Sequence, residues 1–160
     1  MRTKFNIRTA GPEDAGIIAE LCVEFEKFFL TMAGTKKKPP SQKSYERQVK
    51  HALSGSAPYA HTILLEQKGK AIGHATFNYY YATAHNCRGL YVQDLFVREE
   101  ARASGGGKAL MDALMQVARE QRCGVLELAV WNLNAKALGF YLKQGGKPVD
   151  EDILLQWKLK

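Results

Sequence analysis

The spacing of hydrophobic and polar positions along this 160-residue chain changes several times. Residues 4–9 (KFNIRT) alternate apolar with polar, as a half-buried strand does. Gly11-Pro12-Glu13-Asp14 then supplies a helix start, with proline in the first turn and acids near the positive end of the helix dipole. Ile17, Leu21, Phe25 and the Phe28/Phe29 pair recur at helical spacing, which predicts a first helix with one apolar face and Gly34 at its end. Tyr45, Val49 and Leu53 predict a shorter second helix over residues 42–53. From Tyr59 the period switches. YAHTILLEQ, the turn KGK and AIGHATFNYYYA read as a hairpin rich in β-formers. A polar loop at His85-Asn86 precedes LYVQDLFV, a further strand. The turn RASGGGK leads into a helix carrying Leu110, Leu114, Val117 and Ala118 on one side. VLELAV reads as a compact strand, NAKALGFYLKQ as a short helix closed by Gly145-Gly146, and ILLQWKLK as a last strand. With no internal repeat and no linker, the pattern predicts a single α+β domain over residues 1–160.

Composition narrows the classes. A 46% hydrophobic content suits one core of some size, and 24% charged residues is close to the globular average. No apolar run is long enough to span a bilayer, and the start MRTKFNIRTAGPED turns polar before a signal peptide could form. A cytoplasmic address with no membrane partner is therefore expected. Cys22, Cys87 and Cys123 are dispersed and odd in number, which reads as reduced thiols. His51, His61, His74 and His85 form no short-spaced ligand pair, so no metal is expected. The net charge of +7 favours a polyanionic partner without choosing among nucleic acid, a membrane surface and a phosphorylated cofactor. The basic residues are scattered rather than striped with aromatics, which speaks against nucleic acid. The densest cluster, Lys36-Lys37-Lys38 before Pro39-Pro40, reads as a solvated loop.

The informative segment is the turn RASGGGK. Three successive glycines remove every Cβ, so the backbone is free to approach a ligand and to take positive φ. The first amides of the following helix lack internal partners and point outward with the positive end of the dipole. Together these make an anion site suited to a pyrophosphate. A Walker-type loop requires Gly six residues before its Lys and Ser or Thr after it. Here Arg102 stands six before Lys108, and Ala109 follows. A dinucleotide fingerprint also fails, because Leu110 occupies the third glycine position after Gly105 and Gly107.

Arg102-Ala103-Ser104-Gly105-Gly106-Gly107, placed after a strand ending LFV and before a long helix, resembles the R/Q-x-x-G-x-G/A signature of the GNAT superfamily of N-acetyltransferases. A second mark lies downstream in Asn134-x-x-Ala137-x-x-Phe140-Tyr141, followed by Gly145. The two motifs sit in that family's order and spacing, and the strand–helix order agrees over nearly the whole chain. LYVQDLFV and ILLQWKLK look most like the diamine and polyamine N-acetyltransferases. The resemblance implies a central mixed, largely antiparallel sheet flanked by helices, with a splayed parallel strand pair at the cofactor cleft. It implies acetyl-CoA as co-substrate, an amine acceptor and, as in many relatives, a homodimer to which the terminal strand could contribute.

The same resemblance implies roles for particular residues. The backbones of Leu95, Phe96 and Val97 would pair with the pantetheine arm as an added strand pairs with a sheet edge. Residues 103–108 would hold the pyrophosphate through main-chain amides, with Lys108 either adding charge or simply solvated. Arg102 would pin the turn or approach a phosphate. Asn134 would bond the pantetheine region, cap the last helix, or both, with Ala137 beside it. Tyr141 is the expected catalytic residue, since a phenol donates to a departing thiolate in a way that phenylalanine cannot. The alternative for Tyr141 is a core ring beside Phe140.

The base stays open. Polyamine enzymes carry Glu where this chain has Gln93, and glutamine cannot accept a proton at neutral pH. Asp94 alternates to the opposite strand face from Gln93. Glu127, on the neighbouring strand, is a candidate cleft carboxylate, and water relays to Glu24 or Glu26 are also compatible. Gln93, Asp94, Glu127 and Glu24 are therefore grouped as acceptor-site residues. A small primary amine is the leading acceptor. A protein lysine or N-terminal amine is the second reading, and an acyl-CoA sensor without turnover is the third.

Overall fold

The computed structural model describes residues 5–149 and 155–159. Its sheet has five strands, β1 (Asn6–Thr9), β2 (His61–Gln67), β3 (Lys70–Ala82), β4 (Cys87–Val97) and β5 (Cys123–Leu128), in sequential spatial order. The first four pair antiparallel and β4 pairs parallel with β5, so the sheet is mixed. The helices are α1 (Ala15–Met32), α2 (Gln42–Leu53), α3 (Glu99–Arg102), α4 (Gly106–Glu120) and α5 (Ala135–Lys143). The mixed α/β class expected from the sequence is the one observed.

Both faces of the sheet are covered. In β2, Ile63 and Leu65 point toward a core shared with Leu110, Met111 and Leu114 of α4, while Leu64 points toward Ile18 and Leu21 of α1. A strand buried on both sides needs no polar face, which is why the segment reads TILL rather than alternating. Each such fully buried Leu or Ile contributes about 1.5–3 kcal/mol. α1 starts where expected: a 3-10 turn over Pro12–Asp14 leads in, and the Asp14 carboxylate accepts from the Gly11 amide at 2.9 Å. Arg8 ties this entry to the sheet through Asp14 and Glu66, each at 2.8 Å. α1 ends near Gly34, whose φ of 64° only glycine adopts without strain. The bounds of α2 are those read from its periodicity, and Ser41 Oγ caps it by accepting from the Ser44 amide.

Two expectations need correcting. RASGGGK is not one loop: α3 occupies residues up to Arg102, and α4 begins at Gly106, so Gly106, Gly107 and Lys108 form its first turn. The apolar alternation of residues 153–160 predicts a last strand. Of these, 153, 154 and 160 lie outside the described residues, while 155–159 belong to no regular element, and Leu155, Trp157 and Leu159 are exposed. Alternation alone does not make a strand, because its backbone groups need a neighbouring ladder.

A wedge between two parallel strands as the candidate active site

The site arises where β4 and β5 part. Their last paired rung is Val92↔Leu128, and beyond it β4 continues to Val97 while β5 has ended. On its other side β4 stays paired with β3 as far as Gly73↔Val97. Among the described residues, Leu95, Phe96 and Val97 thus have one strand neighbour and one open edge. At Val92 the register also slips. Phe77 pairs with Val92 and Thr76 with Asp94, leaving Gln93 as an extra residue. This bulge resets the alternation of the strand: Leu90, Val92, Leu95 and Val97 face the α4 core, while Asp94 and Phe96 turn toward α1. Gln93 itself donates to the side-chain oxygen of Asn78 at 2.8 Å.

At the end of the open edge stands the glycine turn. Gly105 has a φ of 95°, and α4 starts immediately after it. The ladder of α4 begins with the Ala109 amide donating to Gly105 O at 3.0 Å, so the amides of Gly106, Gly107 and Lys108 precede it without an intrahelical acceptor. Gly106 is buried, and a Cβ there would meet Val97 Cγ1 at 2.9 Å and Ala101 O at 3.0 Å. Gly107 lies against the ring of Phe140, 3.4 Å from a Cβ position. Ser104 Oγ donates to Ala101 O at 3.1 Å, and Arg102 Nε donates to Val97 O at 2.6 Å with its guanidinium over Phe28 and Phe96. Arg102 therefore pins the turn to the end of β4. Lys108 is exposed and pairs with Asp112 one helical turn on, at 2.6 Å.

On the far side of the wedge, Asn134 Oδ1 accepts from the Ala137 amide at 3.1 Å and so caps α5. The helix carries Phe140 and Tyr141 back against the α4 core, their rings edge to face at 5.1 Å. Burial, with a smaller contribution from the Asp94 charge, pushes the Tyr141 phenol up to about 12. It therefore keeps its proton throughout the physiological range.

Asp94 is a meeting point of three helices with the sheet. Its charge bears on Cys22 of α1, Tyr45 of α2 and Tyr141 of α5. Burial raises its own carboxyl above the ordinary range, and the neighbouring Glu26 adds to the effect. Glu24, grouped with Asp94 on sequence grounds, is engaged elsewhere. It accepts from Arg98 Nε at 2.9 Å and Nη2 at 2.6 Å, with Glu20 on the same guanidinium. Glu127 is bonded by the phenol of Tyr80, whose ring crosses Gly89 to reach it. Neither motif in the sequence singles out Tyr45, Tyr80 or Gly89. Gly89 does carry a readable signal, since glycine inside a strand marks a close approach. Among the described residues, no group of three or more His, Cys, Asp or Glu could hold a metal ion, and no helix is long and apolar enough to cross a membrane.

Residues 20–146 match the family model for the acetyltransferase (GNAT) family. The thialysine N-epsilon-acetyltransferase of Bos taurus is 26% identical over 153 residues, covering 91% of this chain and 85% of the bovine one. An L-ornithine N5-acetyltransferase of Arabidopsis thaliana is 32% identical over 72 residues, 45% of this chain and 29% of the plant protein. Among solved structures, an integron cassette protein of Vibrio cholerae has a TM-score of 0.83 at 20% identity, covering 98% of this chain and 93% of that one, a likeness of fold. The family match takes in the open edge of β4, the glycine turn and α5 with Tyr141, and the chain belongs to the GNAT acetyltransferase family.

Proposed function

We propose that this protein transfers the acetyl group of acetyl-CoA to a small primary amine by direct attack on the thioester. The observation that carries the reading is the wedge itself: an unpaired strand edge leads to three helix-first-turn amides at one end and to Asp94 and Tyr141 at the other. The open edge of Leu95–Val97 offers backbone groups to an amide-bearing arm, although Val97 O is already taken by Arg102. Gly106, Gly107 and Lys108 offer amides to a diphosphate, with no Cβ on the first two to block it. These donors fit the co-substrate, which when bound supplies the activated acyl group.

Asp94 is the residue assigned to the ammonium. An alkyl amine titrates near ~10, so it arrives protonated and must lose a proton before it attacks. Asp94 attracts the cation, and its raised carboxyl is a better proton acceptor than an ordinary one. Tyr141 donates toward the sulfur. With its phenol at about 12, well above an alkyl thiol at about 8.5, complete transfer of its proton to a thiolate is uphill. Tyr141 therefore acts as a hydrogen-bond donor to the developing charge, and the proton shed by the amine completes the balance. The names of the bovine and plant relatives, both acting on amines of amino acids, support an acceptor of that size.

The test is thiol release from acetyl-CoA with a panel of diamines, polyamines, amino acids and lysine peptides. Turnover confined to small amines is expected. Release with none of them would overturn the reading.

A further inference from the structure

The aromatic residues of α1 form a chain. Phe96 of β4 packs on Phe25 at 5.4 Å, Phe25 on Phe29 at 4.8 Å, and Phe29 on Trp131 at 5.3 Å with the last two planes inclined by 30°. Phe25 belongs to the core on the α1 side of the sheet, but the Phe29–Trp131 pair packs in neither core among the described residues, and both rings are half-buried. Their positions explain what they span. Phe29 sits on the helix that covers β4. Trp131 lies three residues beyond the end of β5, and its carbonyl accepts from the Asn134 amide at 2.8 Å, in the turn that leads into α5. The stack therefore joins the two sides of the wedge across its α1 face, at the level where the strands have separated. Glu26 lies one helical turn before Phe29, and its charge reaches Asp94.

We infer that Phe29 and Trp131 form a bar across the acceptor entrance that sets the cross-section of the amine. The inference rests on the amine-acetyltransferase reading and specifies its substrate class. An unbranched alkyl ammonium passes beside the bar, drawn by Glu26 and Asp94 and tolerated by the electron-rich ring faces. A polypeptide main chain, with side chains on both sides, meets the rings. Phe29 and Trp131 act as specificity residues through shape and need no contact with the reacting atoms.

The experiment compares 1,4-diaminobutane with a lysine-containing hexapeptide as acceptors. In Trp131→Ala and in Phe29→Ala, the ratio of kcat/KM for peptide over diamine rises by about tenfold or more while the KM for acetyl-CoA is unchanged. Trp131→Phe, which keeps a ring at the position, returns the ratio toward wild type. An unchanged ratio in both alanine variants, or an equal loss with both acceptors, overturns the inference. A binding measurement covers the case in which an alanine variant fails to fold. The chain has two tryptophans, and Trp157 is 76% exposed, so Trp157→Phe leaves Trp131 as the sole reporter. Its emission is expected to change saturably with 1,4-diaminobutane. A saturable response without any acetyl transfer supports the bar and overturns the reaction assigned above. A flat response with diamine turnover intact overturns the bar alone.

Discussion

The ring of Tyr80 on β3 lies over the backbone of Gly89 on β4, which lets its phenol reach the carboxylate of Glu127 on β5. Three strands are thereby tied on the face toward α1, just before the parallel pair opens. A Cβ on Gly89 would fall inside the ring. Gly89→Ala should therefore cost about 1–3 kcal/mol of stability through displacement of the ring. Tyr80→Phe keeps the ring and loses only the hydrogen bond, about 1 kcal/mol. Urea denaturation checks both, and a neutral Gly89→Ala would show that the ring has room to move.

Tyr141→Phe removes the donor and keeps the edge-to-face packing on Phe140. The expected result is a fall in kcat of about 10²-fold or more with acetyl-CoA affinity preserved. Thiol release and calorimetry measure the two quantities separately. Turnover near that of wild type would take Tyr141 out of the mechanism.

Gly107→Glu tests the glycine turn. A carboxylate in the first turn of α4 suits the helix dipole, so the fold should hold its melting temperature. The same charge repels a diphosphate, and calorimetry should find no binding of coenzyme A. Retained affinity would show that the anion lies elsewhere.

Asp94→Asn separates stability from activity. Burial raises the Asp94 carboxyl in the folded chain, so the folded state binds that proton more tightly than the unfolded one. Stability then falls as pH rises from the ordinary carboxylate range through the raised value, and the full penalty remains at pH 7. The variant should melt at a higher temperature at pH 7, lose that advantage below the carboxylate range, and acetylate amines poorly. Melting curves across pH and steady-state rates give the answer, and a lower melting temperature at pH 7 would contradict it.

His74 predicts the opposite slope. It is fully buried, its Nδ1 has no hydrogen-bond partner among the described residues, and burial depresses it to about 4. Below pH ~6.5 the unfolded chain takes up a proton that the folded chain refuses, so stability falls as pH drops from ~6.5 to ~4, by up to about 3 kcal/mol. His74→Leu should flatten that decline between pH 7.5 and 4.5, as read from urea midpoints. An unaltered slope would place the acid sensitivity in other groups.

Much of this was legible in the chain because it is local. The apolar spacing of Ile17, Leu21 and Phe25, the helix start at Pro12-Glu13-Asp14, and the triple glycine before Leu110 each act over a few residues. The boundary of α4 was not, because whether Gly106 lies in a loop or a helix depends on its burial against Val97 and Ala101. The partner of Glu24 was not either, since Arg98 lies 74 residues away.

The mixed class, a glycine-rich connection ahead of Leu110 and the helix that carries Tyr141 can all be read from the residues alone, since periodicity and a missing Cβ are properties of neighbours along the chain. The direction of Asp94 is a matter of strand pairing instead. One extra residue at Gln93 reverses the strand's alternation and turns Asp94 toward α1. A bulge exists only in the register between two strands, so no single strand's pattern contains it.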